Sequence, residues 1–174
     1  MDLRHQNIHI REALPDDAEQ LCAWWNDGAV MAHAGFPNGL GMQRETVARQ
    51  LAVQERSNYC HMILFDRRPI GEMNYRELDC AACEIGIKIC DASMQNKGLG
   101  KQILSLFVTG LFEECGYQRI LLDTNLNNLR AQHVYEQLGF QKLRVNRNSW
   151  IDQLGVPQSS VDYELTPATF QSYL

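Results

Sequence analysis

The stretch between residues 84 and 115 constrains the fold most, because it joins an extended segment to a long helix through a turn rich in glycine. In Glu84–Ile89 the isoleucines occupy alternate positions, which is typical of a strand. In the following helix the apolar residues Ile103, Phe107 and Leu111 recur close to helical spacing. The stretch therefore predicts a strand–turn–helix unit, in which the start of the helix lies at one end of the strand.

The turn itself has the residue types of a phosphate-binding site. It consists of Gln95, Asn96, Lys97, Gly98, Leu99, Gly100 and Lys101. Backbone N–H groups at a helix start have no partner within the helix, and together with the helix dipole they attract phosphate oxygens. The two glycines permit close approach of a pyrophosphate, and the two lysines add positive charge. The spacing matches neither a Walker loop nor the dinucleotide fingerprint, so the residues alone leave an ordinary helix start as the alternative.

The remaining patterns predict the element order β-α-α-β-β-β-α-β-α-β-β. Predicted strands cover residues 7–13, 59–65, 70–76, 84–89, 119–124, 140–151 and 160–165. Predicted helices cover residues 15–28, 43–56, 98–115 and 128–138, and turn chemistry at 66–69 predicts a hairpin. Meandering strands followed by a strand–helix–strand unit indicate an α/β fold, a mixed sheet flanked by helices. No linker or repeat divides the chain, so we expect a single domain over residues 1–174.

Composition argues against several classes of partner. The net charge of −5 is unlike that of proteins that bind nucleic acid, which depend on clustered Lys and Arg. No apolar run approaches the roughly 20 residues that cross a membrane, and the first residues lack a secretion signal. We therefore expect a cytoplasmic protein that is not bound to a membrane.

Six cysteines, at positions 22, 60, 80, 83, 90 and 115, are expected to be reduced thiols. Cys80 and Cys83 have the spacing of half a zinc site, but no second cysteine or histidine pair completes it. The sequence therefore predicts no metal.

Two motifs in order carry a resemblance to a known family. The first is Gln95, Gly98 and Gly100 after a strand, and the second is Asn128, Ala131, Tyr135, Gly139 and Phe140 after the next strand. Together they resemble the GNAT superfamily of acyl-CoA-dependent N-acyltransferases, strongly from Cys83 to Phe140 and weakly over the whole chain. The resemblance implies a GNAT fold whose central sheet contains a splayed strand, and acetyl-CoA as co-substrate.

The resemblance also implies where coenzyme A binds. Residues Gln95 to Lys101 would hold the pyrophosphate with their backbone N–H groups. Ile87, Ile89 and Cys90 on the splayed strand would pair with the pantetheine arm, because strand addition uses backbone groups left unpaired at a gap in the sheet. Asn128 would cap the following helix and contact the coenzyme arm.

For the chemistry, the resemblance assigns Tyr135 as general acid toward the leaving thiolate and Glu84 as general base toward the amine. The backbone N–H of Ile87 is a candidate to polarise the thioester carbonyl. Each assignment has an alternative: Tyr135 suits a core aromatic, Glu84 suits a solvated strand residue, and many relatives use water chains as base. A covalent mechanism through Cys90 is a further alternative, although no basic partner accompanies that cysteine in the sequence.

The acceptor is predicted to be an amine, either a small molecule or a protein N-terminus. Aromatic and acidic residues suited to a cation lie in the first helix and in the last hairpin, namely Trp24, Trp25, Trp150 and Asp162. Three glycines between Gly35 and Gly41 predict a mobile connection that closes over substrate. The pattern looks like the branch with ribosomal-protein N-terminal, spermidine and aminoglycoside acetyltransferases. A non-catalytic acyl-CoA sensor is the alternative function, and a homodimer is compatible with the family.

Overall fold

The computed structural model describes residues 1–53 and 58–174 of the chain. Within these residues the chain forms eight strands. They are β1 (Asp2–His5), β2 (Ile8–Glu12), β3 (Tyr59–Phe65), β4 (Arg68–Asp79), β5 (Ala82–Ile89), β6 (Arg119–Asn125), β7 (Gln141–Ile151) and β8 (Pro157–Leu165).

The same residues form five α-helices and three short 3₁₀ turns. The helices are α1 (Ala18–Asn26), α2 (Gly28–Met31), α3 (Arg44–Ala52), α4 (Leu99–Glu113) and α5 (Leu129–Gln137). The 3₁₀ turns are Pro15–Asp17, Ala32–Ala34 and Ala92–Met94. No helix among the described residues is both long enough and apolar enough to cross a membrane.

The strands form one mixed sheet in the order β1-β2-β3-β4-β5-β6-β8-β7. Every neighbouring pair is antiparallel except β5 and β6, which are parallel. That junction is short: only three residue pairs join the two strands, and the last of them is Glu84 with Leu121. Beyond it β5 continues to Ile89 and β6 to Asn125 without pairing, so the sheet opens into a gap.

Alternate residues of β3 show that both faces of the sheet are covered. Ile63 belongs to a large apolar core that also contains Phe107 and Leu111 of α4, each fully buried. Its neighbour Met62 belongs to a second core with Leu21 of α1 and residues of α3. Burying one such side chain contributes about 1.5–3 kcal/mol, so α4 is held on one face and α1 with α3 on the other.

The predicted fold class is confirmed: the chain forms an α/β structure with a mixed sheet, a splayed strand and flanking helices. The sequence analysis missed β1 and α2, which have only four residues each. The predicted turn at 66–69 is narrower in the structure, since Arg68 and Pro69 already pair with β3 and only Asp66 and Arg67 have left-handed backbones. The predicted end of the second helix, near residue 56, lies outside the described residues.

Candidate active site

A cleft of about 860 Å³ lies at the gap between the splayed ends of β5 and β6. The start of α4 and the first two turns of α5 complete it on one side, and α2 with the end of β7 on the other. Its lining residues come from all of these elements, among them Ile87, Ile89, Gln95, Asn96, Gly98, Leu99, Gly100, Lys101, Asn128, Tyr135 and Trp150. The cleft thus brings together most of the residues predicted from the two motifs.

The glycine turn enters α4 with open space beside its backbone. Gly98 is the N-cap of α4 and has a left-handed backbone, with φ of +76°. A Cβ atom at Gly98 or Gly100 would meet no heavy atom within 4 Å, so a ligand can approach the main chain there. The side-chain amide of Gln95 donates to the carbonyl of Ile89 at 2.8 Å and fixes the turn to the end of β5. A helix start with this geometry suits the oxygens of a diphosphate.

Two cationic side chains, Arg130 and Lys101, line this end of the cleft. Arg130 reaches across from α5 and donates to the side-chain oxygens of Gln95 at 3.3 Å and of Asn96 at 3.2 Å. The ammonium of Lys101 lies 4.4 Å from the ring centre of Tyr173. The exposed Lys97 contacts the sulfur of Met94 and does not line the cleft. Arg130 was not among the predicted site residues, although its place two positions after Asn128 was a signal for it.

The free edge of β5 forms one wall of the cleft. Ile87 and Ile89 line it as predicted, but Cys90 does not. The backbone N–H of Cys90 already donates to the carbonyl of Ile70 at 2.9 Å, and its side chain is buried. Burial raises the pKa of the Cys90 thiol to about 12, which disfavours the thiolate that a covalent mechanism needs.

Tyr135 lies on α5 and is 7% exposed, with its ring packed against Tyr163 and Phe140. Tyr135 lines the cleft, and its hydroxyl makes no hydrogen bond with any of residues 1–53 and 58–174. Burial, with a smaller contribution from the charge of Asp123, raises the pKa of Tyr135 to about 12. The phenol of Tyr135 therefore keeps its proton at neutral pH.

Asp123 is a carboxylate that the sequence analysis missed. It lies on β6 in the lining of the cleft, and within the described part of the chain it has no ion-pair partner. Asp123 remains exposed, but partial desolvation in the cleft raises the pKa of its carboxyl above the ordinary range, and the negative charges of Glu84 and Asp162 raise it further. The available signal was a carboxylate directly after the apolar run 120–122 of a predicted strand.

Glu84 lies beside this group but outside the cleft lining. It ends the paired part of β5, opposite Leu121 of β6. Its carboxylate accepts a hydrogen bond from the guanidinium of Arg76 on β4 and forms an ion pair with it.

The residues predicted to bind the acceptor are spread over separate places. Trp150 lines the cleft, whereas Trp24 and Trp25 pack against the second core on α1. Trp25 also lines a second cavity of about 270 Å³. Asp162 lies opposite Asp123 in the β6–β8 register, but it is engaged with Arg144 at 2.6 Å and with the side-chain amide of Asn146 at 2.8 Å.

The lining of the second cavity contains an ion pair between the partly exposed Lys88 and the buried Glu72. Lys88 and Glu72 are joined at 3.0 Å there, and Lys88 lines both this cavity and the cleft. No group of three or more His, Cys, Asp or Glu suited to a metal ion occurs in residues 1–53 and 58–174.

Comparison with known proteins places this architecture in a family. Residues 7–141 match the family model described as the acetyltransferase (GNAT) domain. The chain belongs to the GNAT acetyltransferase family. The matched range includes the glycine turn, Tyr135 and the splayed strands, so the predicted family is confirmed; Trp150 of the cleft lies beyond that range.

Individual relatives of this GNAT domain are distant in sequence. An uncharacterized protein of Methanocaldococcus jannaschii is 25% identical over 152 residues, which cover 86% of this chain and 31% of that protein. The chain thus spans about a third of the length of the curated relative it matches.

Solved structures share the GNAT fold over nearly the whole chain. A probable acetyltransferase is 23% identical with a TM-score of 0.80, and covers 97% of this chain and 98% of its own. The ribosomal L7/L12 alpha-N-protein acetyltransferase RimL in complex with coenzyme A is 14% identical with a TM-score of 0.80. The spermidine N-acetyltransferase of Vibrio cholerae in complex with coenzyme A and spermine is 16% identical with a TM-score of 0.82. Both of the latter alignments cover 95% of this chain and 98% of the other.

Proposed function

We propose that this chain is an acetyl-CoA-dependent N-acetyltransferase that transfers the acetyl group directly to a primary amine. One observation supports the proposal above the others. A single cleft joins a turn suited to diphosphate, at the start of α4, to the hydroxyl of Tyr135 and the carboxylate of Asp123. Phosphate binding and proton transfer are the two tasks that such a reaction asks of the protein.

The residues of the cleft fit coenzyme A along its length. The backbone N–H groups around Gly98 and Gly100 would hold the pyrophosphate, and Arg130 and Lys101 lie close enough to add charge. The edge of β5 beside the gap lacks a partner strand on that side. The carbonyl of Ile89 is already taken by the side-chain amide of Gln95, so the backbone of Ile87 is the part of this edge that suits the amides of the pantetheine arm. When bound, acetyl-CoA supplies the activated acetyl group as a thioester. Asn128 accepts from the N–H of Ala131 as the cap of α5 and lines the cleft beside this path.

Two groups in the cleft suit the proton transfers. Tyr135 keeps its proton near neutrality and suits the role of acid toward the departing sulfur. Asp123 suits the role of base toward the incoming ammonium, because its raised pKa brings it closer to the operating pH. The backbone N–H of Ile87 is the candidate that stabilises the developing negative charge on the thioester oxygen.

Glu84 is the competing base. It is separated from the cleft lining and held by Arg76, while Asp123 lines the cleft and has no ion-pair partner in the described residues. The geometry therefore favours Asp123, directly or through a water, and assigns Glu84 a supporting role in raising the pKa of Asp123.

The acceptor is proposed to be a cationic amine, as a small molecule or a protein N-terminus. The aromatic ring of Trp150 and the carboxylate of Asp123 line the same cleft, and both attract an ammonium group. Two proteins of the same fold are a ribosomal-protein N-acetyltransferase and a spermidine N-acetyltransferase, so both acceptor classes occur within the fold.

A release assay tests the proposal. The protein is mixed with acetyl-CoA and a panel of polyamines, aminoglycosides and short peptides, and free thiol is followed. We expect turnover on at least one amine, and acetylated product by mass spectrometry. Tight binding of acetyl-CoA with no turnover on any amine would favour the sensor function instead.

A further inference from the structure

A wall of the cleft lies on the opposite face of the sheet from the proposed phosphate turn. We call it the acceptor wall; it consists of Ala29, Val30, His33, Ala34 and Trp150. The phosphate turn begins α4, which packs on one face of the sheet, whereas α2 follows α1, which packs on the other. Under the proposed function the donor occupies the α4 side, so the acceptor wall borders the space left for the amine.

The two parts of this wall are far apart in sequence, and Gln153 at the tip of the β7–β8 hairpin joins them by hydrogen bonds. Its backbone N–H donates to the carbonyl of Gly35 at 2.9 Å. Its side-chain oxygen accepts from the N–H of Asn38 at 2.8 Å, and its side-chain amide donates to the carbonyl of Gly39 at 3.0 Å. All three bonds run from the hairpin to the connection that follows the acceptor-wall residues of α2.

The hairpin tip that carries Gln153 is itself well defined. The carboxylate of Asp152 accepts from the N–H groups of Leu154 and Val156, both at 2.9 Å, and from the side-chain amide of Gln158 at 2.9 Å. These hydrogen bonds lower the pKa of Asp152. The tip therefore holds a fixed shape from which Gln153 reaches the opposite connection.

The connection receives Trp150 at a site that only glycine fits. A Cβ atom at Gly35 would lie 2.3 Å from the Trp150 ring, and φ at Gly35 is +90°. Further along, the N–H of Leu40 donates to Trp25, and Asn26 exchanges two hydrogen bonds with the backbone of Met42. The connection from Gly35 to Gly41, predicted from its glycines to be mobile, thus has hydrogen bonds at its start and its middle and at Met42 directly after its end.

We propose that Gln153 is a positioning residue that holds the acceptor wall in place, by fastening the hairpin carrying Trp150 to the connection after His33 and Ala34. This inference rests on the proposed function, because it concerns the amine side of that reaction. Gln153 does not line the cleft, so it acts through the wall residues and not by contact with substrate.

The first test removes the two side-chain bonds. Gln153→Met keeps the length of the side chain but neither donates nor accepts, and Leu154→Ala, at the exposed neighbouring position, is the control. We expect Gln153→Met to raise the KM for the amine about 3- to 10-fold, as the loss of one or two modest hydrogen bonds would, with the Kd for coenzyme A unchanged within about twofold. Gln153→Glu, which can still accept from Asn38, should give a smaller increase.

The second test acts through the ring instead of the hydrogen bonds. Gly35→Ala places a methyl group against Trp150, whereas Gly41→Ala is a matched control, with φ of +64° and no heavy atom within 4 Å of the added Cβ. We expect the KM increase in Gly35→Ala and not in Gly41→Ala. If Gln153→Met fails to fold, Gln153→Glu decides whether the side-chain bonds matter, and the Gly35/Gly41 pair tests whether the Trp150 contact matters to the KM.

Hydrogen exchange gives a readout that needs no acceptor. In Gln153→Met the amides of residues 29–39 should exchange at least about fivefold faster, with no change in α4. If the wild type acetylates no amine, the proposed function fails. The exchange data then still show whether Gln153 holds the hairpin and the connection together. If amines are acetylated and the KM is unchanged in both Gln153→Met and Gly35→Ala, or if exchange is unchanged, the inference is wrong.

Discussion

The cleft brings together two side chains, Tyr135 and Asp123, whose pKa values are both raised but lie far apart. Burial raises the pKa of Tyr135 to about 12. Desolvation and the charges of Glu84 and Asp162 raise the pKa of the neighbouring Asp123. One group therefore holds its proton, while the other titrates nearer to neutrality than a solvated aspartate does. Pairs whose environments set such different proton affinities are typical of acid–base sites.

Tyr135→Phe separates the acid role from the packing role. The ring contacts with Phe140 and Tyr163 are kept, and only the hydroxyl is lost. We expect kcat to fall about 100-fold, the size of a general-acid contribution, with the Kd for acetyl-CoA within about twofold of wild type. Steady-state kinetics and calorimetry measure the two quantities. Unchanged kcat in a folded variant would exclude the hydroxyl from the reaction.

Asp123→Asn and Glu84→Gln distinguish the two candidate bases. We expect Asp123→Asn to lower kcat/KM about 100-fold and Glu84→Gln to lower it less than about fivefold, since Glu84 is held by Arg76. In Glu84→Gln the acidic limb of the pH–rate profile should also move to lower pH, because one negative neighbour of Asp123 is gone. The reverse order of the two losses would make Glu84 the base.

Asp123→Asn should at the same time stabilise the fold at neutral pH. A carboxylate whose pKa is raised by folding binds its proton more tightly in the native state, so its contribution to stability is present at low pH and is lost as the pH rises through the folded pKa. The melting temperature of the variant is therefore expected to exceed that of wild type at pH 7 and to converge with it near pH 3. A variant less stable than wild type at pH 7 would contradict this sign.

At the scale of elements, the site depends on how β5, the glycine turn and α4 follow one another. The side chain of Gln95 ties the turn to Ile89, and the left-handed Gly98 sets the direction in which α4 begins. The first free N–H groups of α4 thereby face the cleft at the end of the unpaired edge of β5. The proposed phosphate binding and strand addition would therefore both depend on one short segment.

Gly98→Glu tests this segment, with Gly116→Glu as its matched control. Both glycines have left-handed backbones, with φ of +76° and +79°, and open space beside them, but Gly116 lies at the opposite end of α4. A carboxylate at position 98 would repel phosphate, so we expect the Kd for coenzyme A to rise at least about 100-fold. Gly116→Glu should leave it within about twofold. Equal effects would indicate backbone strain and not repulsion.

At the scale of the whole molecule, the core contains a titratable group. His61 of β3 is 1% exposed, packs against Tyr75 and Phe107, and its Nδ1 is hydrogen-bonded to the carbonyl of Tyr59 at 3.1 Å. Burial lowers the pKa of His61 from 6.5 to about 4. The native state therefore favours the neutral imidazole, and protons bind the unfolded chain more readily.

The stability that this histidine contributes should be fully present above pH 6.5 and lost as the pH falls toward about 4. His61→Phe cannot titrate, so its melting temperature should change less over that window than that of wild type, whatever its absolute stability. His133→Phe, at an exposed position of α5, is the control and should keep the wild-type slope. Melting curves by circular dichroism at half-unit pH steps measure the slopes. Parallel curves for His61→Phe and wild type would show that His61 does not set this dependence.

The sequence predicted the framework well because periodicity and glycine spacing are local signals. Ile103, Phe107 and Leu111 marked α4, and the two motifs marked the residues that meet at the gap. The role of Asp123 could not be read in this way, since its pKa depends on desolvation in the cleft and on Glu84 of β5 and Asp162 of β8, which only the folded sheet brings beside it. The bonds of Gln153 to Gly35, Asn38 and Gly39 likewise span more than a hundred residues.

Because only three residue pairs join β5 and β6, the sheet has a seam, the gap between these two strands, along which backbone hydrogen-bonding groups lack a partner strand. Any molecule that fills the seam with amide groups completes ladder bonds that the polypeptide leaves open, and it does so only in the native state. Ligand binding and folding are then linked by mass action, and a hundredfold excess of such a ligand over its Kd adds about 2.7 kcal/mol to the free energy of unfolding. A bound substrate would then take the place of a missing strand in the sheet and stabilise the fold as such a strand would.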